Sequence, residues 1–401
     1  MLRSFITVCF LLFALQGHAA KPSLSSAEYK QLNTAFKSME AGQWKQANQQ
    51  LLAAEQKVKS DYAKALVQHN LAQVALQQER YSSAIKYLKA TQALKALPDA
   101  QQINLLRTLG QLYCMQEAWK SCVSNLQQWM AGPGVSVKAN DHLMMAQAYS
   151  QLKRWKSLLP HITKAIRYKG IAPESWYQLK IAAHIELKQW KQAAKQQQVV
   201  IQHYSSNPKQ WRQLVSLQIQ AGDRKSALAT QRLGYERKLL VTAKDYELLA
   251  QLMLRSGIPY HAARVIEQGF QKGVIKQNSK NLRLLSSAWI RAQEKPRAIK
   301  VLSKLNLIAP SEKVSLQLAQ IQLQEKQWDQ AEKTLSNLLT RKPKKVAQIK
   351  LMQGIAQINQ KHFEQARISL AAAEGDAKYG KMAVNWIRYL DQMEMDLQAK
   401  G

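Results

Sequence analysis

An all-α fold, a right-handed α-solenoid of about ten helical hairpins closed by a C-terminal helix, is predicted by three features of this 401-residue sequence. First, a packing residue, often aromatic, is followed three positions later by a small one, and this signature recurs ten times at intervals of 33 to 38 residues. A fixed period of this length marks stacked repeats, each burying its apolar face against the next. Second, Ala, Leu, Gln, Lys and Glu dominate, while 15 Gly and 10 Pro fall mostly between the periodic segments. That composition forms helices and holds few strand-like runs. Third, apolar residues spaced three and four apart write two facing helices in each repeat.

The N-terminal segment, 1–20, reads as a cleaved secretory signal. Arg3 gives a positive start, Phe5 to Leu15 is apolar, and Gly17-His18-Ala19-Ala20 ends in small residues. The apolar run is well short of the ~20 residues that cross a bilayer, and Cys9 has no lipidation box before it. The expected location is the periplasm of a Gram-negative envelope.

Residues 21–206 hold repeats one to five, marked by Trp44/Ala47, Tyr81/Ala84, Trp119/Cys122, Trp155/Leu158 and Trp190/Ala193. Residues 207–376 hold repeats six to ten, marked by Arg224/Ala227, Pro259/Ala262, Lys295/Ala298, Trp328/Ala331 and Phe363/Ala366. In repeat three, Leu106, Leu109, Gly110 and Tyr113 form one stripe and Trp119, Cys122, Leu126 and Trp129 the next. Repeat four repeats the plan with Met145, Ala146 and Tyr149, then Trp155, Leu158, Ile162 and Ala165. Gly132-Pro133-Gly134 joins these two repeats, and Asn207-Pro208 breaks the chain before repeat six. In 377–401, a helix from about Ala377 to Gln398 sets Val384, Ile387, Leu390 and Met393 on one side. It caps the stack and leads into the tail.

Leu109-Gly110 with Tyr113, Trp211 with Leu214, Gly42 with Trp44 and Ala47, and prolines 310 and 343 together resemble the tetratricopeptide repeat pattern. The frame covers about 28–375. The resemblance implies a non-catalytic scaffold whose inner face, lined by the first helix of each repeat, receives a protein partner. The projected slots hold Lys209, Arg212, Lys244, Arg255, Lys280, Arg283 and Arg291 in repeats six to eight, a basic trough interrupted by Glu247. Arginine forks suit carboxylates and phosphates; the opposing reading makes these side chains ion pairs within the solenoid or a solvated face. In repeats two to four, Asn104, Arg107, Gln111, Asn140 and Gln147 loosely resemble the Lys/Arg and Asn clamp with which some family members hold a peptide's C-terminal carboxylate. The overall plan also resembles accessory proteins of TonB-type energy-transduction systems.

Catalytic parts are missing: the eight histidines are scattered singly, and there is no Cys-x-x-Cys, Gly-rich phosphate loop or Gly-x-Ser-x-Gly elbow. No enzyme, cofactor or metal is expected. The formal net charge of +32 bears on partners rather than fold. In the envelope it suits an acidic protein partner, with an anionic polymer or lipid surface as the alternative, and nucleic acid is not expected. A third reading is a regulatory subunit of a cell-wall, cytochrome-maturation or pilus-assembly machine. Cys114 and Cys122 flank one tight turn, and two readings are open: a disulfide, as an oxidising compartment favours, or two small buried hydrophobes.

Overall fold

The structure, a computed structural model, describes residues 23–204 and 207–398; the expected signal segment, 1–20, lies outside the described residues. The chain divides into two compact units, Met1–Val200 and Ile201–Gly401. All regular structure among the described residues is helical.

The first unit contains α1 (Ser26–Glu40), α2 (Trp44–Glu55), α3 (Asp61–Gln77), α4 (Tyr81–Leu94), α5 (Asp99–Met115), α6 (Trp119–Met130), α7 (Ala139–Gln151), α8 (Trp155–Lys169), α9 (Glu174–Glu186) and most of α10 (Trp190–His203). The second contains α11 (Pro208–Gln220), α12 (Arg224–Glu236), α13 (Ala243–Arg255), α14 (Pro259–Gln271), α15 (Ser279–Arg291) and α16 (Lys295–Ile308). It continues through α17 (Glu312–Gln324), α18 (Trp328–Leu339), α19 (Val346–Asn359), α20 (Phe363–Glu374) and α21 (Gly380–Gln398). The ten residues that open the sequence signature are the first residues of the ten even-numbered helices from α2 to α20.

The turn inside each hairpin has one construction. Two residues before each even-numbered helix, at positions 42, 79, 117, 153, 188, 222, 257, 293, 326 and 361, φ is positive. The next amide reaches back five residues, as in Gln43 N to Ser38 O and Ile258 N to Met253 O, at 2.8 and 2.9 Å. This closes the first helix and aims the second antiparallel to it. Only Gly42, Gly222 and Gly257 place glycine there, so seven hairpins hold a non-glycine residue in the left-handed region.

Each second helix then drives its fourth residue inward. Ala47, Ala84, Cys122, Leu158, Ala193, Ala227, Ala262, Ala298, Ala331 and Ala366 are all fully buried. Across from them, the position nine residues before the second helix carries Ala35, Ala72, Gly110, Ala146, Ile181, Val215, Ala250, Ser286, Ala319 or Gly354, all buried. Where both places are small, as with Ala47 and Ala35, Ala262 and Ala250 or Ala366 and Gly354, the helix axes come close; Leu158, Ile181 and Val215 are the bulkier exceptions. Larger residues one turn away fill the core, among them Leu51, Leu88, Leu126, Ile162, Ile266, Leu302, Leu335 and Leu370, each fully buried. Burying each contributes roughly 2 kcal/mol.

Cys114 near the end of α5 and Cys122 in the first turn of α6 are bonded, their Cα atoms 5.1 Å apart. The final helix differs from the sequence expectation: α21 starts at Gly380, not near Ala377. The Asp376 carboxylate accepts from the backbone N–H groups of Lys378 and Tyr379, both at 2.9 Å, and holds those residues in a turn. Ala383, Leu390, Ile387 and Met393 of α21 then pack on Leu370 and Ala373 of α20.

Candidate functional site

The second residue of four successive first helices, α11, α13, α15 and α17, is a lysine: Lys209, Lys244, Lys280 and Lys313. All four are exposed. A cation in the first turn opposes the helix dipole, whose positive end lies there, at a cost of about 0.3–1 kcal/mol each. Four in register is therefore an arrangement that helix stability does not explain. Arg255 and Arg291 are also exposed, but each is the last residue of its helix, where the same dipole favours a cation.

Three residues further along the first helix stands a slot that holds Arg212, Glu247 or Arg283. Arg212 is engaged: its Nε and Nη2 donate to the two carboxylate oxygens of Asp245, both at 2.9 Å. Asp245 in turn accepts from the Thr242 amide at 2.9 Å and from its hydroxyl at 2.7 Å, capping α13. Burial alone would raise the Asp245 pKa, but the hydrogen bonds from Arg212 and Thr242 outweigh it and leave the carboxyl below its ordinary value. In unit one Arg107 makes the same connection, donating through Nε and Nη2 to Asp141 Oδ1 at 3.1 and 2.7 Å. Asp141 caps α7 by accepting from the Lys138 amide at 2.9 Å. These rungs stitch one repeat to the next, and Glu247 continues the pattern by pairing with Lys280.

Arg283 breaks it. The position that corresponds to Asp141 and Asp245 in the following repeat is Val314, 2 % exposed, and beside it stands Lys313. Among the described residues no carboxylate pairs with Arg283, Lys313, Lys209 or Lys244. Repeats eight and nine thus face solvent with an arginine fork and a lysine where two other repeat junctions are internally neutralised.

The sequence-derived residues accordingly separate. Arg212 and Arg107 are rungs, and Arg107 also lies over the Trp129 ring at 4.8 Å. Lys280 is tied to Glu247, while Lys209, Lys244, Arg255, Arg283 and Arg291 are exposed. Asn104, Asn140 and Gln147 are exposed and Gln111 half-buried, with the Arg107 charge among them already neutralised by Asp141. Sequence reasoning passed over Lys313, whose place as second residue of its helix was the available signal. It also passed over Asp141 and Asp245, each 14 residues before a second helix and 33 or 34 after its arginine. Among the described residues, no three His, Cys, Asp or Glu side chains are grouped to hold a metal ion.

Residues 18–142 match a family model described as a tetratricopeptide repeat-like domain. The same hairpin, with the same turn, continues to Glu374. Residues 18–142 are thus similar to tetratricopeptide repeats, and the hairpins that follow share their turn construction. Similar solved structures include a tetratricopeptide repeat protein from Parabacteroides merdae, 12% identical, covering 66% of this chain and 99% of that one with a TM-score of 0.36. YrrB, described as a tetratricopeptide repeat protein with an unusual peptide-binding site, is 13% identical over 45% of this chain and 89% of its own, TM-score 0.36. MamA from Desulfovibrio magneticus is 21% identical over 38% of this chain and 96% of its own, TM-score 0.30. No curated protein matches the chain.

Proposed function

We propose that this protein is a non-catalytic scaffold of the Gram-negative envelope and that the first-helix face of repeats six to nine holds an acidic segment of a protein partner. The lysine ladder 209, 244, 280 and 313, together with the unpaired Arg283, carries this reading. The four lysines sit where helix dipoles disfavour them, Lys280 among them already paired with Glu247, and Arg283 faces Val314 and Lys313 where the corresponding arginines of two other repeats meet an aspartate. Carboxylates of a bound segment complete the missing rung, with the arginine fork donating to both oxygens of one side chain. The N-terminal sequence supports export to the periplasm, and the overall plan supports an accessory role beside a TonB-type transport system.

A second reading, docking to anionic envelope polymer or lipid, is favoured by the formal net charge of +32. Photo-crosslinking in cells from position 283 separates the two. The scaffold reading predicts a discrete protein adduct that persists at a few hundred millimolar salt after lysis. A heterogeneous polymer smear, lost once salt screens the exposed charges, contradicts it.

A further inference from the structure

Unit two has chemically unequal ends. Its five hairpins, from α11–α12 to α19–α20, are joined by the connections 237–242, 272–278, 309–311 and 340–345. Because successive helices alternate in direction, these connections lie at one end of the stack and the turns inside the hairpins at the other. The connections hold eight Lys or Arg and no Asp or Glu, while the five turns hold two Lys and three acids. Neighbouring connections are tied together: Lys304, near the end of α16, donates to Gln277, and the Lys344 amide donates to Glu312 Oε2 at 2.9 Å. The dipole of the preceding helix favours a cation such as Arg237 or Lys272, but Lys344 and Lys345 stand directly before α19, where the dipole disfavours them.

All eight cations are exposed, and among the described residues none is in an ion pair with a carboxylate. The acids at the flanking helix ends are engaged: Glu236 by Arg232 at 2.8 Å, Asp245 by Arg212, and Glu312 by the Lys344 amide. Apolar side chains stand in water at the same end. Leu307 is 83 % and Ile308 51 % exposed in the last turn of α16, and Val241, in 237–242, and Val346, which opens α19, are exposed as well. A basic face that served only solvation would gain nothing from them.

We infer that this end of unit two docks on the surface of an anionic lipid bilayer, with its lysines and arginines on lipid phosphates and Leu307, Ile308, Val241 and Val346 in the boundary between headgroups and acyl chains. A bilayer surface offers both attractions at once. Six of the eight cations are lysines, point charges that meet phosphate without a demand on orientation, whereas a folded acidic partner is better matched by oriented arginine forks. The inference concerns the connections, not the first-helix slots, and stands whether or not a partner occupies those slots.

The test is co-sedimentation of the full mature chain, at about 0.1 M salt, with vesicles of equimolar phosphatidylglycerol and phosphatidylcholine against vesicles of phosphatidylcholine alone. The anionic vesicles are expected to bind at least tenfold more tightly. Lys342→Glu/Lys345→Glu, at the connection end, is expected to weaken that binding at least tenfold, and Lys326→Glu/Lys361→Glu, an equal change of charge at the turn end, less than twofold. Leu307→Ser/Ile308→Ser leaves the charge unchanged and replaces side chains that are already exposed; it is expected to weaken vesicle binding at least threefold and to leave binding of dextran sulfate, a soluble polyanion, unaltered. Equal binding to both kinds of vesicle, or equal weakening by the two charge-reversed pairs, would overturn the inference. So would vesicle binding that Leu307→Ser/Ile308→Ser does not change, which would assign this end to a soluble polyanion or an acidic protein instead.

Discussion

Gly110 and Gly354 show how single atoms set the helix spacing. A Cβ on Gly110 would lie 2.6 Å from Leu126 Cγ, and one on Gly354 would lie 2.5 Å from Leu370 Cγ, in both cases inside contact distance. Gly110→Ala is expected to destabilise unit one by about 1–3 kcal/mol through this overpacking, measured by urea denaturation. Gly257 is a different case, with open space around it but φ at 74°. Replacing it by Ala is expected to cost about 1 kcal/mol from backbone strain alone. The rungs make a third residue-scale prediction. Asp245→Asn removes the charge that receives Arg212 and weakens the α13 cap, with an expected loss of about 1–3 kcal/mol. Glu28 adds a pH signature: donors led by the Ser60 amide lower its pKa from 4.5 to about 2. Because the unfolded chain binds its proton first, the stability Glu28 contributes is full above about pH 4.5 and is lost as pH falls toward 2. Glu28→Gln is expected to flatten that part of the Tm–pH curve.

Among the hairpins, α7–α8 carries a pH dependence of the opposite chemical type. His142 Nδ1 and His161 Nδ1 lie 3.1 Å apart. Burial, aided by the His142 ring and the Lys164 ammonium, pushes His161 from 6.5 down to about 4, and burial also lowers His142. The unfolded chain takes up these protons near pH 6.5 while the folded one resists until about 4, so stability is full above 6.5 and declines between the two. A Tm series from pH 7.5 to 4 should show this slope, and His161→Gln should reduce it. The α5–α6 hairpin is held by Cys114–Cys122, whose closure of a short loop contributes about 2–3 kcal/mol. Dithiothreitol or a Cys114→Ala/Cys122→Ala variant is expected to lower Tm accordingly. The hairpins were legible in the sequence because their turns obey one rule: every signature residue, even Arg224, Pro259 and Lys295, begins a helix. Their polar connections were not. The arginine–aspartate rung joins residues 33 or 34 apart on different repeats, a pairing that no single helix period contains. The start of α21 was missed because the Asp376 turn uses a side chain to do what the Ala-rich sequence does not announce.

At the scale of the whole molecule, the charge of +32 has two separable parts. Most of it is spread over exposed faces and acts as a general field, strong at low salt and screened over about 10 Å at 0.1 M. The ladder and Arg283 are instead placed in one register on successive first helices, so their effect depends on position as well as sign. Binding of a fluorescein-labelled octaglutamate peptide, followed by anisotropy at 0.15 M salt, distinguishes these contributions. Arg283→Glu/Lys313→Glu on α15 and α17 and Lys225→Glu/Lys300→Glu on α12 and α16 change the net charge equally but on different helices of the hairpins. The first pair is expected to weaken binding at least tenfold and the second less than twofold; equal weakening by both would contradict a partner site on the first-helix face.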